Sequence, residues 1–143
     1  MRERSRARGW ALQVLYAWEL RGRTSSLTHV LDEFLADRRV AAASREYLLR
    51  LIQAVEDHLD EIDRAVAAAV TNWRPERLSV IDRNLLRLGA AELMWIDDVP
   101  PRVTLQEAIL LAEKYGTENS PRFVNGVLDA LMRQVGAATG DVR

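Results

Sequence analysis

The sequence predicts an all-α fold of about seven helices in two small bundles, and three observations lead there. Apolar residues recur at intervals of three and four over almost all of the 143 residues. Alternating strand-type runs are scarce. Proline, glycine and hydroxyl residues cut the helical pattern into segments of ordinary helix length.

The first segment, about 3–21, ends at Arg21-Gly22 and turns Ala11, Leu12, Leu15 and Leu20 inward, with Trp18 as a core anchor. A second starts near Ser26 and offers Leu27, Val30, Leu31, Phe34 and Leu35. The Ala-rich stretch 40–43 leads to a third, with Ser44 expected as its cap. From Leu48 the series Leu51, Ile52, Val55, Leu59, Ile62, Val66, Val70 and Trp73 keeps helical spacing through a break expected near Asp57, giving two helices in tandem. Arg74-Pro75 stops this run, because the residue before proline is driven out of helical geometry. Ser79 with Asp82 has capping-box spacing and opens Ile81–Asp97, the most apolar helix, expected at the centre and buried on several sides. Val99-Pro100-Pro101 predicts an extended link. Thr104-x-x-Glu107 predicts the start of a helix to Tyr115, closed by Gly116. Ser120-Pro121 supplies a capping hydroxyl and a first-turn proline for a last helix with Phe123, Val124, Val127, Leu128, Leu131 and Val135 as its stripe. The expected organisation is one domain, with a first bundle over about 1–72, a second over about 73–136 and a loose tail over 137–143.

A chain of this length buries roughly 68–70% of its unfolded surface without any staple. Cysteine is absent, which excludes disulfides, thiolate metal sites and cysteine nucleophiles. No apolar run approaches the ~20 residues of a membrane span, and no signal peptide is recognisable, so a soluble, cytoplasmic protein is expected.

Net charge is −1 overall, yet residues 1–23 carry six arginines against Glu3 and Glu19 and the remainder is acidic. Arg2, Arg4, Arg6 and Arg8 run directly into a helix bearing Tyr16 and Trp18. Cations beside a planar stacking surface are what single-stranded nucleic acid requires of a protein. A solvated helical extension is the alternative reading of the same arginines. Gln13 and Asn125 are the amides that could read base edges.

Catalytic motifs are missing. His29 and His58 are far apart and neither stands in a Glu-x-x-His pair, so no metal site is expected. Phosphate-loop, dinucleotide and nucleophile-elbow patterns are absent. Asp57, Asp60, Glu61 and Asp63 read as caps and a solvated face. The expectation is a binding protein without enzymatic activity or cofactor.

The second half carries a specific pattern. It runs Asp82-Arg83-x-Leu-Leu-Arg-Leu, Ala91-Glu92-Leu93, Leu105-Gln106-Glu107-Ala108, Leu111-Ala112-Glu113-Lys114-Tyr115-Gly116 and Ser120-Pro121-Arg122-Phe123-Val124-Asn125-Gly126-Val127-Leu128-Asp129. With Arg8 and the Ala11-x-Gln13-x-Leu15-Tyr16 segment, it resembles the NusB family of bacterial transcription antitermination factors over nearly the whole chain. The resemblance implies binding of the single-stranded boxA element of nascent ribosomal RNA together with the ribosomal protein NusE, within an RNA polymerase complex that includes other Nus factors. It assigns Arg4, Arg6, Arg8, Gln13, Tyr16, Phe123 and Asn125 to RNA, and Glu76 and Asp82 to NusE. Two departures stand out. Glu3 and Ser5 interrupt the basic run, and Asn119 follows Glu118 where an acidic pair is common.

Phe123 and Asp82 also admit structural roles, as core and cap. The competing functions are an accessory domain like that preceding ribosomal RNA methyltransferases, against which the absence of a cofactor motif before Arg143 argues, and a homodimeric interaction scaffold.

Overall fold

The structure is a computed structural model that describes residues 2–70 and 78–138, with side chains to 136. Seven helices and no strand occur among the described residues, and the chain divides into two compact units, 1–59 and 60–143.

The first unit holds α1 (Arg2–Leu20), α2 (Leu27–Asp37) and α3 (Ala42–Asp57), each packed on the other two. Leu12, Leu15, Leu27, Leu31, Leu48, Leu51 and Ile52 are all fully buried between them. Helix α2 starts beside Ser26 as expected, and Ser26 caps it, its Oγ accepting from the His29 N–H at 3.1 Å. The Glu56 carboxylate, at the far end of α3, accepts from the Thr28 N–H at 3.1 Å and from its hydroxyl, so α2 begins where α3 ends. Trp10 and Phe34 meet edge to face, with centroids 5.6 Å apart. Trp18 is buried and donates its indole N–H to the Ser25 carbonyl at 3.0 Å, which fits the expected anchor.

Two expectations for this unit are corrected. Ser44 does not cap α3, which starts at Ala42; it is buried and its hydroxyl donates to the Glu3 carbonyl at 3.1 Å. That bond sets the first turns of α1 and α3 side by side, so these helices run parallel, with α2 returning between them. Leu20 is 61% exposed rather than inward. At about 100° per residue it falls on the side of α1 that carries Arg2 and Arg6, away from Leu12 and Leu15.

The predicted break between tandem helices falls at His58, and α4 (Leu59–Ala69) follows. The division between units comes at 59/60, earlier than the expected boundary near 72/73, and α4 groups with α5 (Val80–Trp95), α6 (Pro101–Tyr115) and α7 (Ser120–Ala138). One tie is ionic: the Arg87 guanidinium, 3% exposed, donates to Asp63 at 2.8 Å and to Asn84 Oδ1 at 2.8 Å. Asp63 is therefore not part of a purely solvated face.

Ser79 caps α5 by accepting from the Asp82 N–H at 3.0 Å. Every residue from Asn84 to Glu92 is buried, as expected of a central helix. Gly89 permits this. A Cβ there would lie 2.6–2.7 Å from the Leu128 methyl groups, so glycine is what lets α5 and α7 approach.

Two start signals were misplaced. Helix α6 begins at Pro101, three residues before Thr104, because proline is pre-set for the first helical turn. Thr104 is instead buried, and its hydroxyl donates to the equally buried Glu92 carboxylate at 2.7 Å. The Ser120 hydroxyl serves the turn before α7, accepting from the Thr117 N–H at 2.9 Å. Gly116 closes α6, and a Cβ there would collide with Ser120. Val124, Val127, Leu128 and Leu131 are buried along α7, with Phe123 and Val135 half-buried.

Candidate nucleic-acid interface

A helix that starts at Arg2 cannot present four alternate arginines as one row, since residues two apart stand on nearly opposite sides. The ladder splits into two pairs. Arg2 and Arg6 are exposed, and at 3.6 residues per turn they align with Gly9, Gln13, Tyr16 and Leu20 in one stripe along α1. Tyr16 is 39% exposed and Gln13 half-buried, so this stripe offers two cations, an amide and an aromatic face to solvent. Glycine at position 9 leaves it without a side chain between Arg6 and Gln13.

Arg4 and Arg8 turn the other way, toward α3. Their guanidinium carbons lie 4.5 and 5.4 Å from the centroid of the Tyr47 ring. Arg8 is only 6% exposed and Arg4 half-buried, so the reading of these two as a solvated extension does not hold. The Glu3 carboxyl, exposed beside them, is held below the usual carboxylate range chiefly by hydrogen bonding to its own main chain, and stays ionised at neutral pH.

Trp18 offers no free face to a base. Its ring is 4% exposed and carries the Arg23 guanidinium at 4.7 Å. Arg23 and Gly22 both adopt positive φ, 61° and 75°, in the turn after α1. Arg21 and His29 both bind the Glu33 carboxylate, which holds its pKa below the ordinary value.

The remaining candidates belong to the second unit. Phe123 and Asn125 stand in the first turns of α7, Phe123 half-buried with its N–H bonded to the Asn119 carbonyl at 3.1 Å, Asn125 exposed. Phe123 thus keeps part of its ring outside the core formed by Val124 and Val127. Arg122, Glu118 and Asn119 are exposed around them. Asp82 is half-buried; its N–H serves the Ser79 cap, and its Oδ1 has no hydrogen-bond partner among the described residues. Glu76 lies outside the described residues.

The sequence reading missed Tyr47 and Arg50. Arg50 is exposed on α3, and its guanidinium carbon is 5.8 Å from the same Tyr47 centroid. An arginine three residues after a tyrosine on a helix was the available signal, but Tyr47 has an inward position that suits plain core packing equally well. No group of three or more His, Asp or Glu residues placed to hold a metal is found among the described residues. No helix among them is long and apolar enough to cross a membrane.

The sequence pattern of the NusB family matches residues 5–133. A transcription antitermination protein NusB of Sorangium cellulosum is 43% identical over 141 residues, covering 99% of each chain. Another, of Chloroherpeton thalassium, is 37% identical over 133 residues, which are 92% of this chain and 62% of that longer relative. A solved structure of the antitermination factors NusB and NusE in complex with double-stranded RNA superposes with a TM-score of 0.82 at 32% identity, covering 94% of this chain and 98% of that one. By its matched residues and by its fold, this chain belongs to the NusB family.

Proposed function

We propose that this chain is a cytoplasmic, non-enzymatic antitermination factor that binds a boxA-type element of nascent ribosomal RNA together with NusE, and so keeps RNA polymerase elongating through ribosomal RNA genes. The observation that carries the reading is the α1 stripe, where Arg2, Arg6, Gln13 and exposed Tyr16 align beside the Arg4–Arg8 pair. Phosphate needs the guanidinium forks. An unpaired base needs the ring, and bases held in a duplex cannot stack on it.

The solved relative was captured with NusE and double-stranded RNA. Preference for unpaired RNA is supported by the exposed aromatic face of Tyr16. Phe123 and Asn125 supply a second aromatic and amide, and Glu76 and Asp82 the acidic contacts to NusE.

Fluorescence anisotropy against a boxA-like single strand, a shuffled strand and a duplex, each with and without NusE, tests the reading. The expected order is boxA-like over shuffled and duplex, with the gap widening when NusE is added. Equal affinity for all three in both conditions would overturn it.

A further inference from the structure

Three arginines from two helices share one ring: Arg4 and Arg8 of α1 and Arg50 of α3 stand 4.5, 5.4 and 5.8 Å from the Tyr47 centroid. Tyr47 is 4% exposed and Arg8 6%, so both are fixed by the core, whereas Arg50 is exposed to solvent. The register that brings them together is set by Ser44, whose bond to the Glu3 carbonyl holds the first turns of the two helices side by side. Glu3 and Glu46, near the starts of α1 and α3, and Asp37, at the end of the returning α2, are exposed carboxylates toward this end of the unit.

We propose that Arg50 belongs to the RNA-binding surface, completing with Arg4 and Arg8 a cluster that takes a backbone phosphate of the RNA, and that Tyr47 is the positioning residue that gathers the three guanidinium groups. The inference deepens, and rests on, the RNA-binding function proposed above. Gathering like charges costs energy, and the negative face of the ring offsets part of that repulsion. Guanidinium groups already ordered on a ring lose less freedom when they engage a phosphate. The contact surface thereby extends from α1, where the basic run lies in sequence, onto α3.

Salt titrations of the full chain with a labelled boxA-like single strand test this. Arg50→Gln is expected to flatten the log-affinity against log-salt slope by about 0.7, the amount for one phosphate contact on a single strand. Arg50→Lys keeps the slope. Tyr47→Phe binds like the parent, because the ring remains. Tyr47→Leu leaves every charge in place yet weakens binding at least roughly two- to fivefold, the equivalent of one exposed cation–π interaction. Thermal melts accompany each variant, and if Tyr47→Leu fails to fold, Arg50→Gln decides alone.

Arg133→Gln, on the exposed Arg133–Asp129 pair of α7, serves as the charge control and is expected to leave the slope unchanged. Parent-like slope and affinity for Arg50→Gln, with Arg6→Gln still flattening the slope, would overturn the extension and leave the function standing. An equal loss in Arg133→Gln would overturn it too, by assigning the effect to bulk charge. If the parent itself ignores boxA-like RNA, the functional reading fails first.

Discussion

Gly89→Ala is a sharp test of how α5 and α7 pack. The new Cβ would sit 2.6 and 2.7 Å from the two Leu128 methyl groups and 3.2 Å from its Cγ. Carbon atoms prefer about 3.5–4.0 Å, so roughly 1 Å of relief is required. Leu128 is fully buried, as are Leu85, Leu86, Val124 and Leu131, and it has little space to yield. Overpacking of this kind costs about 1–3 kcal/mol, against which alanine recovers about 1 kcal/mol of helix propensity. The net expectation is a loss of up to about 2 kcal/mol, which for a chain of this length lowers the melting temperature by up to about 8 °C. Urea unfolding of the parent, Gly89→Ala, Leu128→Ala and the double variant measures the coupling. Leu128→Ala alone costs about 2–5 kcal/mol through its cavity, and in that background Gly89→Ala becomes neutral or stabilising. A stabilised Gly89→Ala single variant, or an equal penalty in both backgrounds, would refute the close-approach argument.

Thr104→Val removes the hydroxyl that donates to the buried Glu92 carboxylate, and is expected to cost about 1.5–3 kcal/mol in urea unfolding, the range for a hydrogen bond to a charged group. Thr104→Ser should recover most of it. Tyr16→Ala is expected to weaken boxA-like RNA binding by about 1–3 kcal/mol with no change in salt slope, because a stack and not a phosphate contact is lost; a flattened slope would contradict that role. NMR titration should place the Glu33 carboxyl below the usual glutamate range, with Arg21→Gln returning it upward, since the Arg21 hydrogen bond is the main cause. Its folded-state pKa is lowered, so the small stability it lends is complete above the unfolded-state pKa and fades as pH falls through the folded value.

The existence and order of the helices were legible because burial imposes the three-and-four spacing whatever the tertiary detail. Their starts were less so. Ser44, Thr104 and Ser120 all have the chemistry of caps, yet each hydroxyl is taken elsewhere, by the Glu3 carbonyl, the Glu92 carboxylate and the Thr117 N–H. For Ser44 and Thr104 the acceptor lies 41 and 12 residues away, outside any local pattern, and for Ser120 the donor lies three residues back rather than in the helix ahead. Ser79 was read correctly because its partner lies three residues on, within the pattern, and the start near Ser26 follows the same spacing. The α1 stripe was recoverable from the sequence, since helical phase alone separates Arg2 and Arg6 from Arg4 and Arg8. The meeting of Arg8 with Arg50 was not, because it depends on α1 and α3 running parallel. Gly89 also escaped, because nothing in the sequence gives the spacing of two helices.

Net charge sets how this surface works. At −1 overall, the chain has almost no long-range attraction for RNA, and at physiological salt charges are screened beyond about 8 Å. Attraction therefore acts only within a few side-chain lengths of α1 and its neighbours on α3, and a handful of contacts there, each salt-sensitive, gives modest affinity alone. On the proposed function, a partner protein that also holds the RNA converts the second contact into an intramolecular one, and affinity rises with effective concentration without any new bond to this chain. It follows that NusE should raise RNA affinity while leaving the losses caused by Arg6→Gln and Arg50→Gln unchanged as ratios. Ratios that collapse when NusE is present would instead mean that NusE carries the RNA and this arginine surface is idle.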